Sequence, residues 1–139
     1  MINWKYKGKE ILSHSNIPKD AVAIVYILSY DDSTKYIGYK LVRSKRRLKP
    51  TKKQLAVRKN YKRVEMVDLP FLKYVGSSRE NKGKVLVRKE ILYFTSNKRT
   101  ATYLETKLLF EHNVLFDDKF NNKNISGRFF DTAMDGLIC

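Results

Sequence analysis

The chain has 139 residues, enough for one domain with its own core, and 42% are hydrophobic, which excludes a disordered polypeptide. No apolar run reaches the roughly 18 residues that a membrane span needs, and no secretory leader pattern opens the sequence, so we expect a cytoplasmic protein. The single cysteine, Cys139, excludes an internal disulfide. Lysine and arginine number 29 against 14 acidic residues, a formal charge of +15.

The excess positive charge is concentrated in one segment. Residues 40–63 contain 12 lysines and arginines and no acidic residue, and the rest of the chain has 17 basic and 14 acidic residues. Such a stripe attracts the phosphate backbone of a nucleic acid. The nucleic-acid-binding candidates are Arg43, Lys45, Arg47, Lys49, Lys52, Lys53, Arg58, Lys59, Lys62 and Arg63. A solvated basic loop that only aids solubility is the alternative.

The first half of the chain predicts a hairpin after a short lead-in. Residues 1–20 are interpreted as the lead-in, in which Trp4 and Tyr6 alternate before a glycine at position 8 and a loop that ends at residues 16–18. Residues 21–28 form a continuous apolar run of strand length. Turn-forming residues at 31–34 and a second strand pattern at 35–41 complete the hairpin.

The second half predicts two strands and one long helix. The basic residues 43–63 show no period and contain a proline, which indicates a loop or partial helix. Residues 69–75 and 84–94 are strand candidates. Apolar residues at helical spacing over 101–115 predict the helix, and the four residues from Thr102 to Glu105 fit a capping box.

Together these elements favour a small α/β or α+β domain. We place the domain at residues 21–130, with a basic insertion at 40–63 and a C-terminal tail at 131–139. A polar, asparagine-rich loop follows the helix within the domain.

Several enzyme classes lack their motifs here. The sequence contains no CxxC or HExxH zinc pattern, no GxxxxGK[ST] phosphate loop, and only two histidines, His14 and His112. Asp68 followed by residues 80–82 matches the acid…E-x-K skeleton of many metal-dependent nucleases. That skeleton requires a strand, whereas residues 79–83 favour a turn, so it stays a minor alternative.

The predicted hairpin resembles the opening of the GIY-YIG nuclease family. The tripeptide VYI at 25–27 stands where the family has its first motif, without that motif's glycine, and YIG at 36–38 is the second motif verbatim. Lys40, the YVGSS segment at 74–78 and the predicted helix are similar to a phage-borne branch that carries a basic insertion after the second motif. The resemblance covers residues 21–130.

This resemblance implies a compact domain, in which a small three-stranded sheet has flanking helices, and metal-dependent cleavage of DNA. It implies catalytic hairpin tyrosines, a basic residue after the second motif, a helix-borne glutamate that holds Mg²⁺ or Mn²⁺, and an asparagine beyond that helix. The matching positions are Tyr26, Tyr36, Lys40, Arg46, Glu105 and Asn122. Arg43 could replace Arg46, and Asn121 or Asn124 could replace Asn122. Ser77 and Ser78 are expected to contact the nucleic acid backbone.

The expected chemistry assigns one task to each group. Tyr26, acidified by a neighbouring cation, would take a proton from water, while Tyr36 orients the water or phosphate. Lys40 and Arg46 would offset charge, and a metal held by Glu105 would polarise the phosphate. Each residue also has an ordinary explanation: tyrosines suit strands, Glu105 fits a capping box, and asparagines form turns.

Two other functions remain open at this point. A catalytically inactive nucleic-acid-binding protein would use the same basic stripe, and a basic interaction protein would bind an acidic protein. No separate DNA-reading module is recognisable, so sequence specificity would come from the basic insertion or from a homodimer. The resemblance also implies a phage-encoded protein that acts in the bacterial cytoplasm.

Overall fold

The computed structural model describes residues 2–60, 62–76, 81–136 and 138. In chain order its strands and helices are β1 (Trp4–Tyr6), β2 (Lys9–Ile11), β3 (Ala23–Tyr30), β4 (Lys35–Leu41), β5 (Arg43–Leu48), α1 (Lys52–Val57), β6 (Arg63–Asp68), β7 (Leu86–Thr95), α2 (Lys98–Glu111), β8 (Asn124–Ile125) and β9 (Phe129–Phe130). The predicted α+β class is confirmed. Ser77 and Ser78 lie outside the described residues.

A five-stranded sheet in the order β2-β1-β7-β3-β4 forms the centre of the molecule, where three strands were expected. The β3–β4 hairpin has the predicted turn and pairs Tyr26 with Gly38. The two additional strands come from the predicted lead-in: β1 lies parallel to β7, and β2 pairs with β1. Trp4 of β1 is fully buried, and its indole N–H donates to the carbonyl of Phe71 at 2.8 Å. The lead-in is therefore part of the core.

The two faces of the sheet bury different sets of residues. On one face Ala23 and Val25 of β3 pack against Ala101 of α2. On the other face Ile24 and Tyr26 pack in a cluster with Trp4 and the segment that follows β6. Because both faces of β3 are covered, its sequence is continuously apolar instead of alternating, as the prediction of a buried strand requires.

The strand predicted at residues 69–75 is not formed. This segment is irregular, and side chains satisfy its carbonyl groups in place of a neighbouring strand. Trp4 donates to Phe71, and the Lys89 ammonium donates to the carbonyls of Leu72 and Tyr74, both at 2.8 Å. The segment thus lies across the sheet as a cover and brings Tyr74 to the Tyr26 side.

The basic insertion is a two-stranded antiparallel ribbon, not the loop or partial helix that the sequence predicts. We call β5, α1 and β6 together the arm. Six residue pairs join β5 to β6, from Arg43↔Asp68 at the base to Leu48↔Arg63 at the tip, where α1 begins four residues later. The arm forms its own sheet, separate from the five central strands.

Helix α2 begins four residues before the expected capping box. Its N-cap is Asn97, whose side chain accepts from the Thr100 N–H at 2.7 Å. Thr102 instead donates its hydroxyl to the Lys98 carbonyl within the helix. The capping interpretation of Glu105 is therefore wrong, and its carboxylate is available for another role. No helix in the described ranges is long and apolar enough to cross a membrane.

Burial of Lys89 predicts that the protein becomes more stable as the pH rises above 8. Only 1% of this residue is exposed, and its ammonium lies 4.5 Å from the centroid of the Trp4 ring. Desolvation lowers the pKa of Lys89 from 10.5 to about 8. Between those values the unfolded chain retains a proton that the folded protein has released, so the free energy of unfolding should increase with pH.

The increase should stop near pH 10. Burial raises the pKa of Tyr30 from 10.0 to about 12, and it raises that of Tyr26 further, so unfolded tyrosines ionise before the folded ones. Urea unfolding at pH 7.5 and 9.5 would measure the effect in the wild type and in Lys89→Met. We expect the gain only in the wild type; the same gain in both proteins would contradict the assignment to Lys89.

Candidate active site

The open edge of β4 organises the candidate site. Alternate backbone groups of an edge strand point away from the sheet and need partners from elsewhere in the chain. The segment after α2 supplies the first: the Lys35 N–H donates to the Lys119 carbonyl and the Asn121 N–H donates to the Lys35 carbonyl, both at 2.7 Å. Ile37 and Tyr39 present the next two sets of edge groups, and side chains cover them.

Asn122 covers the edge at Ile37. Its side-chain oxygen accepts from the Ile37 N–H at 3.1 Å, and its amide nitrogen donates to the Ile37 carbonyl at 2.8 Å. The amide thus substitutes for one peptide unit of a sixth strand. Only 5% of Asn122 is exposed. The structure gives this predicted catalytic residue the role of holding the second motif in place.

Removing the Asn122 amide is expected to destabilise the protein. Asn122→Ala would leave the N–H and carbonyl of Ile37 without partners in buried surroundings, which should lower the free energy of unfolding by about 2–3 kcal/mol. Asn124→Ala is the matched control, because its exposed side chain accepts only one turn hydrogen bond, from Gly127. Urea denaturation of both variants measures the difference. Equal losses would refute the role assigned to Asn122.

Glu105 lies at the next edge position. The Tyr39 N–H donates to its carboxylate, and this bond favours the ionised form. Burial against the sheet has the larger effect and raises the pKa of Glu105 from 4.5 to about 7. The ionised form of Glu105 is therefore destabilised by its loss of solvation, and a nearby cation would stabilise it.

A polar cavity of about 180 Å³ joins three of the predicted catalytic residues. Tyr36, Glu105 and Asn122 all line it, although they come from β4, α2 and the segment after α2. The remaining lining residues are Ile37, Leu109, Lys123, Asn124 and Ser126. The cavity has space for several water molecules or a phosphate group and offers hydroxyl, amide and carboxylate oxygens.

Tyr26 lies on the face of the sheet that is turned away from α2, in an aromatic cluster against which Tyr36 also packs. Its ring is 2% exposed and makes edge contacts with Trp4 and Tyr74, at centroid distances of 5.2 and 6.0 Å. Its hydroxyl shares a hydrogen bond with Tyr74. Burial, together with Tyr74, raises the pKa of Tyr26 well above its usual value. The expected acidified phenol is therefore not present in the free protein, where Tyr26 is a neutral hydroxyl.

Gly38 explains why the second motif ends in glycine. A Cβ atom at this position would lie 2.6 Å from the Tyr26 hydroxyl oxygen and 2.8 Å from its ring carbon Cζ. Both distances are far inside van der Waals contact. The tyrosine of the first motif therefore packs directly against the backbone of the third residue of YIG, where only glycine leaves room for the ring.

Lys40 is the predicted basic residue that the structure brings to the tyrosines. Its ammonium lies 4.8 Å from the centroid of the Tyr74 ring, a cation–π contact. Tyr74 therefore lies between Lys40 and Tyr26. Tyr74 opens the YVGSS segment at 74–78 and was not predicted as a site residue. The second tyrosine–x–glycine pattern was the signal that could have identified it.

Arg43 differs from most other bases of the basic segment because its side chain is buried. Arg43 is 7% exposed, and its guanidinium contacts Asp68 at 3.0 Å. It also donates to four backbone carbonyls, those of His14, Pro18, Lys19 and Ala21. These contacts give Arg43, which was predicted as a DNA contact and as an alternative catalytic arginine, a structural role: it anchors the arm to the body.

The other predicted nucleic-acid contacts lie on the arm or beside it. Arg46, proposed as the catalytic arginine, is exposed on β5 opposite Glu65 and is not among the described residues that line the cavity. Arg63 is partly covered. The remaining candidates are exposed: Lys45, Arg47, Lys49, Lys52, Lys53, Arg58, Lys59 and Lys62. No cluster of three or more His, Cys, Asp or Glu side chains occurs among the described residues, so Glu105 is the single acidic group of the cavity.

Comparison with known proteins gives one match. A family model described as "Putative endonuclease segE, GIY-YIG domain" matches residues 4–125, which is most of the chain and includes β1, the arm and all the cavity-lining residues except Ser126. No curated protein and no solved structure gives a significant match.

Proposed function

Because the chain belongs to the GIY-YIG endonuclease family, in its segE group, we propose that it is a metal-dependent DNA endonuclease. The observation that carries this proposal is the polar cavity at the edge of β4, where Tyr36 of the second motif and Glu105 face the same space. We also propose that the protein is phage-encoded and acts in the bacterial cytoplasm, as the sequence resemblance implies. A homodimer stays a prediction that light scattering would measure.

The residues of the cavity fit Mg²⁺ or Mn²⁺. Mg²⁺ in phosphoryl-transfer sites is held by one or two carboxylates, with water and substrate phosphate completing its octahedral shell. Glu105 supplies one carboxylate, whose pKa is raised by burial, while Tyr36, Asn124 and Ser126 add oxygen atoms to the lining. When bound, the ion would polarise the scissile phosphate and stabilise the leaving oxygen.

The protein groups would then act on the phosphate and the attacking water. Tyr36 would orient one of them by a hydrogen bond from its hydroxyl. Lys40 would offset the negative charge that develops on the phosphate, because it is the basic residue placed beside the tyrosines. Tyr26, as a neutral hydroxyl bonded to Tyr74, would donate to an oxygen. It could take a proton from water only as a phenolate, after a nearby cation has lowered its pKa and its own proton has been released to solvent. Arg46 would reach a phosphate only if the DNA spans both the arm and the cavity.

Incubation of supercoiled plasmid with the protein tests the proposal. Nicking or linearisation is expected with Mg²⁺ or Mn²⁺, and none with EDTA. Binding that retards the plasmid on a gel, with no cleavage under any metal condition, would favour the catalytically inactive DNA-binding protein instead. If the protein binds an acidic protein and added DNA does not displace that partner, the basic interaction protein would be favoured.

A further inference from the structure

The arm has two faces of different chemistry. Side chains of paired residues in a two-stranded ribbon lie on the same face, and successive pairs alternate. Lys45↔Met66 and Arg47↔Val64 share one face, which we call the basic face. All four side chains are exposed, including 40% of Met66 and 53% of Val64.

The opposite face carries less uncompensated charge. Arg46 is paired across the ribbon with Glu65, and the Arg63 guanidinium also contacts Glu65 at 3.4 Å. Leu48 and Val67, on this same face, are partly covered. On the basic face the only acidic residue is Asp68, at the base, which Arg43 already neutralises. Of the two faces of the ribbon, the basic face is therefore the one that combines uncompensated positive charge with exposed apolar side chains.

The arm is also held in a fixed direction. Arg43 ties its first residue to the carbonyls of Pro18, Lys19 and Ala21, and the Leu69 N–H donates to the Val42 carbonyl at 2.9 Å where the arm returns. A rigid attachment reduces the conformational entropy that binding would otherwise cost.

We propose that the basic face of the arm enters the major groove of duplex DNA and selects the target of the nuclease. Two strands about 4.8 Å apart, with their side chains, match a major groove about 12 Å wide and exceed a minor groove about 6 Å wide. Lys45 and Arg47 can donate to guanine O6 and N7, while Met66 and Val64 can contact thymine methyl groups. Six residues of ribbon extend about 20 Å, close to six base pairs. This inference rests on the proposed function in one respect, which is that the substrate is DNA.

Binding without cleavage tests the inference separately from catalysis. Affinity for duplex DNA would be measured in EDTA with the wild type, with Lys45→Ala/Arg47→Ala, and with Arg46→Ala/Arg63→Ala on the opposite face. Lys107→Ala/Arg88→Ala removes the same charge from exposed positions outside the arm. We expect the basic-face variant to lose about 10- to 100-fold in affinity. The Lys107→Ala/Arg88→Ala control should lose less than about threefold, since a surface charge removed away from the contact weakens only the long-range attraction. The opposite-face variant should lose clearly less than the basic-face variant.

Methylation interference identifies the groove. Dimethyl sulfate modifies guanine N7 in the major groove and adenine N3 in the minor groove. Interference by guanine N7 that disappears in the basic-face variant is the expected result. Equal losses from both faces, or interference by adenine N3, would overturn the proposal. Plasmid cleavage could fail while this result holds, and the reverse is also possible, so the two proposals fail independently.

Discussion

Replacing Glu105 by glutamine is expected to abolish cleavage while leaving the protein folded. Glutamine has the same size and can still accept from the Tyr39 N–H, but it cannot hold a divalent cation as a carboxylate does. Loss of several kcal/mol of charge stabilisation corresponds to a rate at least about 10³-fold lower. Plasmid cleavage under single-turnover conditions, with saturating Mg²⁺ or Mn²⁺, measures the effect.

Stability separates a catalytic Glu105 from a structural one. Burial raises the pKa of this carboxyl from 4.5 to about 7, so the carboxylate that is present at pH 8 is less stable in the folded protein than in the unfolded chain, which lowers the free energy of unfolding. Glu105→Gln should therefore be as stable as the wild type, or slightly more stable, in urea unfolding at that pH. Glu111→Gln is the matched control: it lies on the same helix, is exposed, and contacts only Lys107 at 3.7 Å. Cleavage that survives in Glu105→Gln would exclude the proposed metal site.

Gly38→Ala is expected to damage both stability and activity. The added methyl group would lie 2.6 Å from the Tyr26 hydroxyl oxygen, and Trp4 and Tyr74 prevent the ring from moving aside. Overpacking of this kind costs about 1–3 kcal/mol. A displacement of about 1 Å at a catalytic group can lower the rate by about 10²-fold. Urea unfolding and plasmid cleavage are the two measurements.

A second substitution distinguishes the clash from other effects of alanine in a strand. Gly38→Ala/Tyr26→Phe removes the hydroxyl that the methyl group approaches most closely, so part of the lost stability should return while cleavage stays low. Gly136→Ala is the control for alanine itself, since no atom lies within 4 Å of its added Cβ. A Gly38→Ala protein as stable and active as the wild type would show that the ring has room to adjust.

The hairpin and the helix were predictable because their signals are local. A buried run, a turn and a second strand specify β3 and β4, and helical spacing specifies α2 whatever its capping residue. The strands β1 and β2 were missed because each has three residues, which are too few for an alternation of apolar and polar side chains to identify a strand. The strands of the arm were missed because sequence patterns identify a strand by apolar residues that alternate with polar ones. In the arm, the side chains on one face are basic and apolar and those on the other are also mixed, so this alternation is absent.

The site was only partly predictable, since its geometry depends on contacts between distant segments. Nothing local distinguishes Arg43 from the other bases of the segment; its burial depends on carbonyls at 14–21 that the fold brings to it. Tyr74 likewise becomes a neighbour of Tyr26 only because Lys89 and Trp4 hold the irregular segment across the sheet. Asn122 was selected as a reactive group, but its hydrogen bonds are those of a strand partner.

The root of the arm has a consequence for how such proteins change over evolutionary time. The chain leaves the body after Val42 and returns at Leu69, and these two residues are joined by a backbone hydrogen bond. His14 closes the same point, since its Nε2–H donates to the Leu69 carbonyl at 2.8 Å. An insertion whose ends meet can be shortened, lengthened or exchanged by recombination with little disturbance of the sheet. Variation in the arm can therefore change the surface that the arm presents while the residues of the cavity are left unchanged.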